Sequence, residues 1–216
     1  MREPGLFKEK CKALYLNAGT GSRHPAANDA VEYNVSLNAA AYSSLFKLKC
    51  PIYWMPCFED MKAQTEQQII MEFGTFYKFR QDMILPYITD RLRNYFYYML
   101  TKSQDPDALG YLTKPPDEQA VEFFGQQLRY MWCTGGFLHA AGYAVTREGV
   151  IVPNMRDCNN EVFTFDPIEV TCDDNGITKW SVQKSSVNRF IFHVRDIECY
   201  CRAMTTAMRT LLEELP

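Results

Sequence analysis

The sequence predicts an α/β fold, a parallel sheet with helices that is followed by a β-hairpin, further antiparallel strands and a long amphipathic helix. Three observations carry the prediction. Apolar runs at residues 11–17 and 51–55 flank a helical pattern at 38–48, and strand, helix, strand is the order of a right-handed parallel crossover. From Glu161 the chain turns rich in β-formers, and Asn175-Gly176 between two such runs is a strong hairpin signal. In residues 196–215, Ile197, Tyr200, Cys201, Met204, Met208, Leu211, Leu212 and Leu215 recur at helical spacing, opposite Glu198, Arg202, Arg209 and Glu213.

The first strand, 11–17, runs into Ala18-Gly19-Thr20-Gly21-Ser22. That loop has neither the third glycine of a dinucleotide fingerprint nor the Gly-Lys-Ser/Thr ending of a phosphate-binding loop. Glu32-Tyr33-Asn34 is expected to be extended, so that residues two apart face the same way. Asn38 is the N-cap of the 38–48 helix, with Ala41, Tyr42, Leu45 and Phe46 on its apolar side. The middle is aromatic and mostly helical. Phe73, Phe76, Tyr77 and Phe79 come before Pro86, and Leu92, Tyr95, Phe96, Met99 and Leu100 follow it at core spacing. After the breaks at Asp105-Pro106 and Pro115-Pro116, Asp117 caps a helix expected to reach about Met131, and a second apolar helix covers 136–145. Then come strands through Val162, Phe163, Phe165, Ile168 and Val170, at 177–182, and over Arg189–Val194. Residues 1–216 read as one domain, an α/β part at 11–145 and a hairpin-plus-helix part at 161–216.

A chain of 216 residues with 47% hydrophobic and 14% aromatic side chains can bury a real core. Its 23 basic residues against 26 acidic ones leave a formal charge of -3, and no basic run could neutralise a row of phosphates, which argues against nucleic acid. No apolar stretch reaches the length of a membrane span, and a cytoplasmic location is expected. The eight cysteines contain no C-x-x-C pair and are expected as free thiols in a reducing compartment rather than as a zinc site.

Few residues carry chemistry. Glu32 and Asn34 would converge, and an acceptor beside a group that both donates and accepts suits the vicinal hydroxyls of a sugar. His139 sits in an apolar, glycine-containing stretch, where a histidine either donates a proton or bonds a carbonyl. Cys133 lies six residues before it, but no Asn or Asp completes a nucleophilic triad. His24 and His193 read as a loop and a strand residue, and Asp173-Asp174 as part of a turn.

These residues carry a resemblance. The strand into Asn17-Ala18-Gly19, then Glu32-Tyr33-Asn34-Val35-Ser36-Leu37-Asn38, a helix, and the strand Pro51-Ile52-Tyr53-Trp54-Met55-Pro56 resemble the middle of a nucleoside hydrolase of the inosine-uridine-preferring superfamily. The stretch from Met131-Trp132-Cys133 to Leu138-His139 resembles that family's helix bearing the leaving-group histidine, so the likeness covers roughly 14–145. The resemblance implies hydrolysis of the N-glycosidic bond of a ribonucleoside by a Ca²⁺-bound water. Glu32 and Asn34, with Asn28, would bind the ribose hydroxyls, and His139 would protonate the departing base. The family holds its calcium mainly on an Asp-x-Asp-x-x-x-Asp-Asp motif that occurs nowhere in this sequence, and a further carboxylate after the histidine is here Ala140. The expectation is therefore a C-terminal portion of such a protein, weakly active or inactive alone, with a nucleoside or ribose as ligand. A companion chain supplying the N-terminal half, or a homo-oligomer built on the aromatic middle segment, is its expected macromolecular partner. A non-catalytic ribose binder or assembly module is the alternative.

Overall fold

In a computed structural model, which describes residues 9–23, 31–101, 105–115, 117–154, 159–184 and 188–215, the fold is mixed α/β. Leu14–Asn17 (β1) and Ile52–Met55 (β2) are parallel neighbours, with Leu14 opposite Ile52 and Asn17 opposite Met55. Between them lie two short helices, Tyr33–Leu37 (α1) and Ala39–Leu45 (α2). Asn38 caps α2 as the sequence predicts, its Oδ1 accepting from the Ala41 amide at 2.9 Å. The Glu32-Tyr33-Asn34 segment is not extended: Glu32 is the N-cap of α1, and this cap, not strand alternation, brings its carboxylate to Asn34.

The middle departs from the helical expectation at two places. Tyr77–Arg80 (β3) pairs antiparallel with Leu128–Met131 (β4), after Met61–Thr65 (α3). Tyr77 and Phe79 are buried while Lys78 and Arg80 face outward, which is period two. Asp90–Thr101 (α4) and Ala108–Tyr111 (α5) follow, then Glu118–Gly125 (α6), capped by Asp117 through the Gln119 and Ala120 amides. The helix expected to reach Met131 ends at Gly125 because the chain after it is taken up by the ladder with β3. Likewise Thr134–Ala140 (α7) stops short of 145. Gly142, at φ +85°, breaks it, and Tyr143–Val145 (β5) pairs with Ile151–Pro153 (β6).

Phe163–Cys172 (β7) and Thr178–Val182 (β8) form the expected hairpin. The Asp173 carboxylate organises its loop by accepting from the Asn175 and Ile177 amides, and Gly176 supplies the left-handed residue at φ +83°. Arg189–Val194 (β9) has the bounds the sequence predicts. The sheet order is β1-β2-β9-β7-β8, so β9 is the central strand, parallel to β2 and antiparallel to β7.

Strand alternation sorts the core onto two faces. Leu16, Ile52, Trp54 and Ile191 meet Tyr42 and Phe46 on one side. Met55, Phe192 and Val194 meet Tyr77, Leu138, Tyr200 and Met204 on the other. The last helix, Ile197–Glu213 (α8), is capped by Asp196 and lies on this second face, with Tyr200, Ala203, Met204 and Ala207 buried. The Tyr200 hydroxyl donates to the Thr75 carbonyl at 3.0 Å. The described cysteines are all free thiols; Cys158 lies outside the described residues. Among the described residues no helix is long and apolar enough to cross a membrane.

Candidate functional site

At the carboxyl ends of β1 and β2 the chain leaves the sheet side by side, joined by a 2.9 Å bond from the Cys57 amide to the Gly19 carbonyl. Gly19 has φ +80°, and a Cβ there would lie 2.3 Å from the Tyr42 hydroxyl, so the turn admits no side chain without displacing that ring. Glu32 closes over this turn. Only 4% of it is exposed. One oxygen accepts from the Gly19 amide at 2.9 Å, and the other accepts from the Asn34 amide and from Asn34 Nδ2, each at 3.0 Å. The Cys57 thiol hydrogen-bonds the same carboxylate, and the group is held rigidly beside the exposed Asn34.

Side chains from distant segments complete the cluster. Asn17 ends β1 as a polar residue after an apolar run. Its Nδ2 donates to the Met55 carbonyl at 2.9 Å and to the Thr75 hydroxyl at 3.1 Å, while its Oδ1 accepts from the Cys133 thiol at 3.3 Å. Asn34 Nδ2 also lies 3.6 Å from the Cys57 sulfur. Burial pushes the Cys57 thiol up, helped by the nearby Glu32 carboxylate, and burial raises Cys133 as well. Both sulfurs are therefore thiols at neutral pH, hydrogen-bonding groups rather than nucleophiles. Asn17, Cys57, Thr75 and Cys133 were not singled out as binding residues from the sequence. The one local signal was an asparagine closing a strand whose other residues are apolar.

His139 is placed elsewhere. Its Nδ1 is 2.7 Å from the Tyr15 hydroxyl, and its ring sits 5.0 Å from Tyr53 and 4.5 Å from Phe165 between centroids. The reason is the direction of α7, which starts beside Asn17 at Cys133 and runs back along β1 to Tyr15, about 7 Å before the strand end. His139 therefore makes no contact with Glu32 or Asn34 among the described residues. Burial lowers its pKa below 6.5, so the imidazole is neutral at pH 7. Burial raises the Tyr15 hydroxyl to about 12, with Tyr53 adding to the effect, so it keeps its proton. Asn28 and His24 lie outside the described residues. His193 bonds Asp166 through Nδ1 at 2.6 Å and faces Glu72 through Nε2 at 3.1 Å, stacked on Phe73.

Among the described residues no three His, Cys, Asp or Glu side chains gather into a group that could hold a metal ion. Comparison of the chain with protein-family models, with curated proteins and with solved structures finds no match. What the arrangement offers chemically is an anchored, buried carboxylate beside an exposed amide. Such a pair recognises hydroxyl groups.

Proposed function

We propose that the chain binds the ribose of a nucleoside through Glu32 and Asn34, as the sugar-holding part of a nucleoside-hydrolase-like protein. The observation that supports this reading most is the buried Glu32 carboxylate fixed by the Gly19 amide at the carboxyl ends of two parallel strands. Open α/β sheets receive their ligands outside those ends. A vicinal diol supplies two donors, one for the Glu32 carboxylate, where it would displace the Cys57 thiol, and one for the Asn34 side-chain carbonyl oxygen. N-glycosidic cleavage develops positive charge on the sugar, and a fixed carboxylate nearby favours it.

The isolated chain is proposed to bind with little or no turnover. A hard dication wants six to eight oxygens, and the Asp-rich run that supplies them in the family it resembles is missing from this sequence. A companion chain that brings this run is the proposed partner for full activity. His139 has no part in sugar binding; its proposed role, protonating the base, belongs to the hydrolytic reaction alone. Calorimetry with ribose, inosine and 2′-deoxyinosine tests the reading. Binding of ribose and inosine, weakened for the deoxy compound and lost in Asn34→Ala, is the expected result. No heat with ribose or inosine overturns it, and strong hydrolysis in Ca²⁺ that Glu32→Ala abolishes overturns the assignment of a non-catalytic chain.

A further inference from the structure

A concavity lies away from the Glu32 cluster, between α4, α8 and the β3–β4 pair, with a volume of about 240 Å³. Its walls are apolar: Phe79 and Met131 from the strands, Phe96 and Leu100 from α4, Met208 and Leu212 from α8. Helical spacing explains the last pair, since residues four apart share one face. One guanidinium borders the slot. Arg129 stands opposite Phe79 in the ladder and, two residues before Met131, projects to the same side of β4. Its side chain is exposed and makes no ion pair or hydrogen bond with a described residue. Of the other hydrogen-bonding lining groups, the Gln81 amide is already engaged with the Phe124 carbonyl at 3.2 Å, and Tyr95 of α4 is exposed.

We infer that this slot binds a single-chain carboxylate, its alkyl chain against the apolar walls and its head group on Arg129. The chemistry selects that class. A sugar or a nucleotide would leave most of its polar groups facing hydrocarbon. A neutral chain would leave the cation without a counter-ion, and an ammonium would be repelled by it. A guanidinium pairs with a carboxylate through two parallel bonds. The volume falls below the roughly 300–1,000 Å³ of sites for drug-sized ligands, which suits one short chain.

Titration calorimetry of the full chain with hexanoate, octanoate, decanoate, 1-octanol and octylammonium tests the site. Affinity for the carboxylates rises by about fourfold per added methylene until the slot is full, and octanoate binds at least about tenfold tighter than 1-octanol. Arg129→Gln, a change at an exposed side chain that keeps the parent's thermal melt, removes that difference and leaves 1-octanol unaltered. Labelled methionine methyls locate the ligand: octanoate shifts Met131 and Met208. Equal affinity for octanoate and octanol, tighter binding of octylammonium, unchanged octanoate binding in Arg129→Gln, or no heat with any probe overturns the inference.

Discussion

Removing the Glu32 side chain is the sharpest test of how the turn after β1 is held. Glu32→Ala takes away the acceptor of the buried Gly19 amide and the N-cap of α1 together. A buried amide left without a partner costs about 1–3 kcal/mol, and loss of a cap about 1 kcal/mol. The sum, about 2–4 kcal/mol, is a large part of the roughly 5–15 kcal/mol that stabilises a domain. For a chain of 216 residues it corresponds to a fall in Tm of about 4–16 °C. Glu32→Gln keeps the shape but turns an NH₂ toward one of the donors, so it falls in between. Urea and thermal unfolding of the three proteins, followed by circular dichroism, give the order parent, Gln, Ala. A Glu32→Ala protein that melts within about 1 °C of the parent refutes the argument that this carboxylate holds the turn.

Asn34 is exposed and makes its bonds to Glu32 from outside, so Asn34→Ala should change stability by less than about 1 kcal/mol while ribose binding is lost; calorimetry and melting on one sample separate the two effects. His139 should weaken the fold in acid. Its folded pKa is lowered from 6.5, so the unfolded chain takes up the proton first, and stability present above about pH 6.5 declines as the pH falls toward the folded pKa. Urea midpoints at pH 7.5 and 5.0 should differ less in His139→Gln than in the parent, and equal differences would count against the burial of this ring. Gly19→Ala, with φ +80° and a Cβ at 2.3 Å from the Tyr42 hydroxyl, should cost more than about 1 kcal/mol in the same melts. Tyr200→Phe removes the donor to the buried Thr75 carbonyl and should cost about 1 kcal/mol.

Several elements were legible because their causes are local. Asn38, Asp117 and Asp196 each cap a helix through amides two or three residues away. Arg189–Val194 is rich in β-formers over its whole length, and the Asp173 to Gly176 run carries its own turn chemistry. Tyr77–Arg80 was legible in principle, because its apolar and charged residues alternate; the aromatic run around it masked a period of two. In the site, the pairing of Glu32 with Asn34 was legible at a spacing of two, although a helix cap and not an extended strand produces it.

Taken alone, the sequence determined the α/β class, the parallel β1–β2 step, the hairpin and the last helix, since propensity, caps and turns act within a few residues of their cause. The tertiary structure decided the rest. It set β9 at the centre of the sheet, ended α6 by giving Leu128–Met131 to β3, and joined Asn17 to a thiol 116 residues away. It also turned α7 back along β1, so that His139 meets Tyr15 and not Glu32. Each of these contacts closes a long loop, and the entropy of closure depends so weakly on length that no local signal marks which partner is chosen. Burial of complementary surfaces makes that choice, and it exists only once the chain is packed.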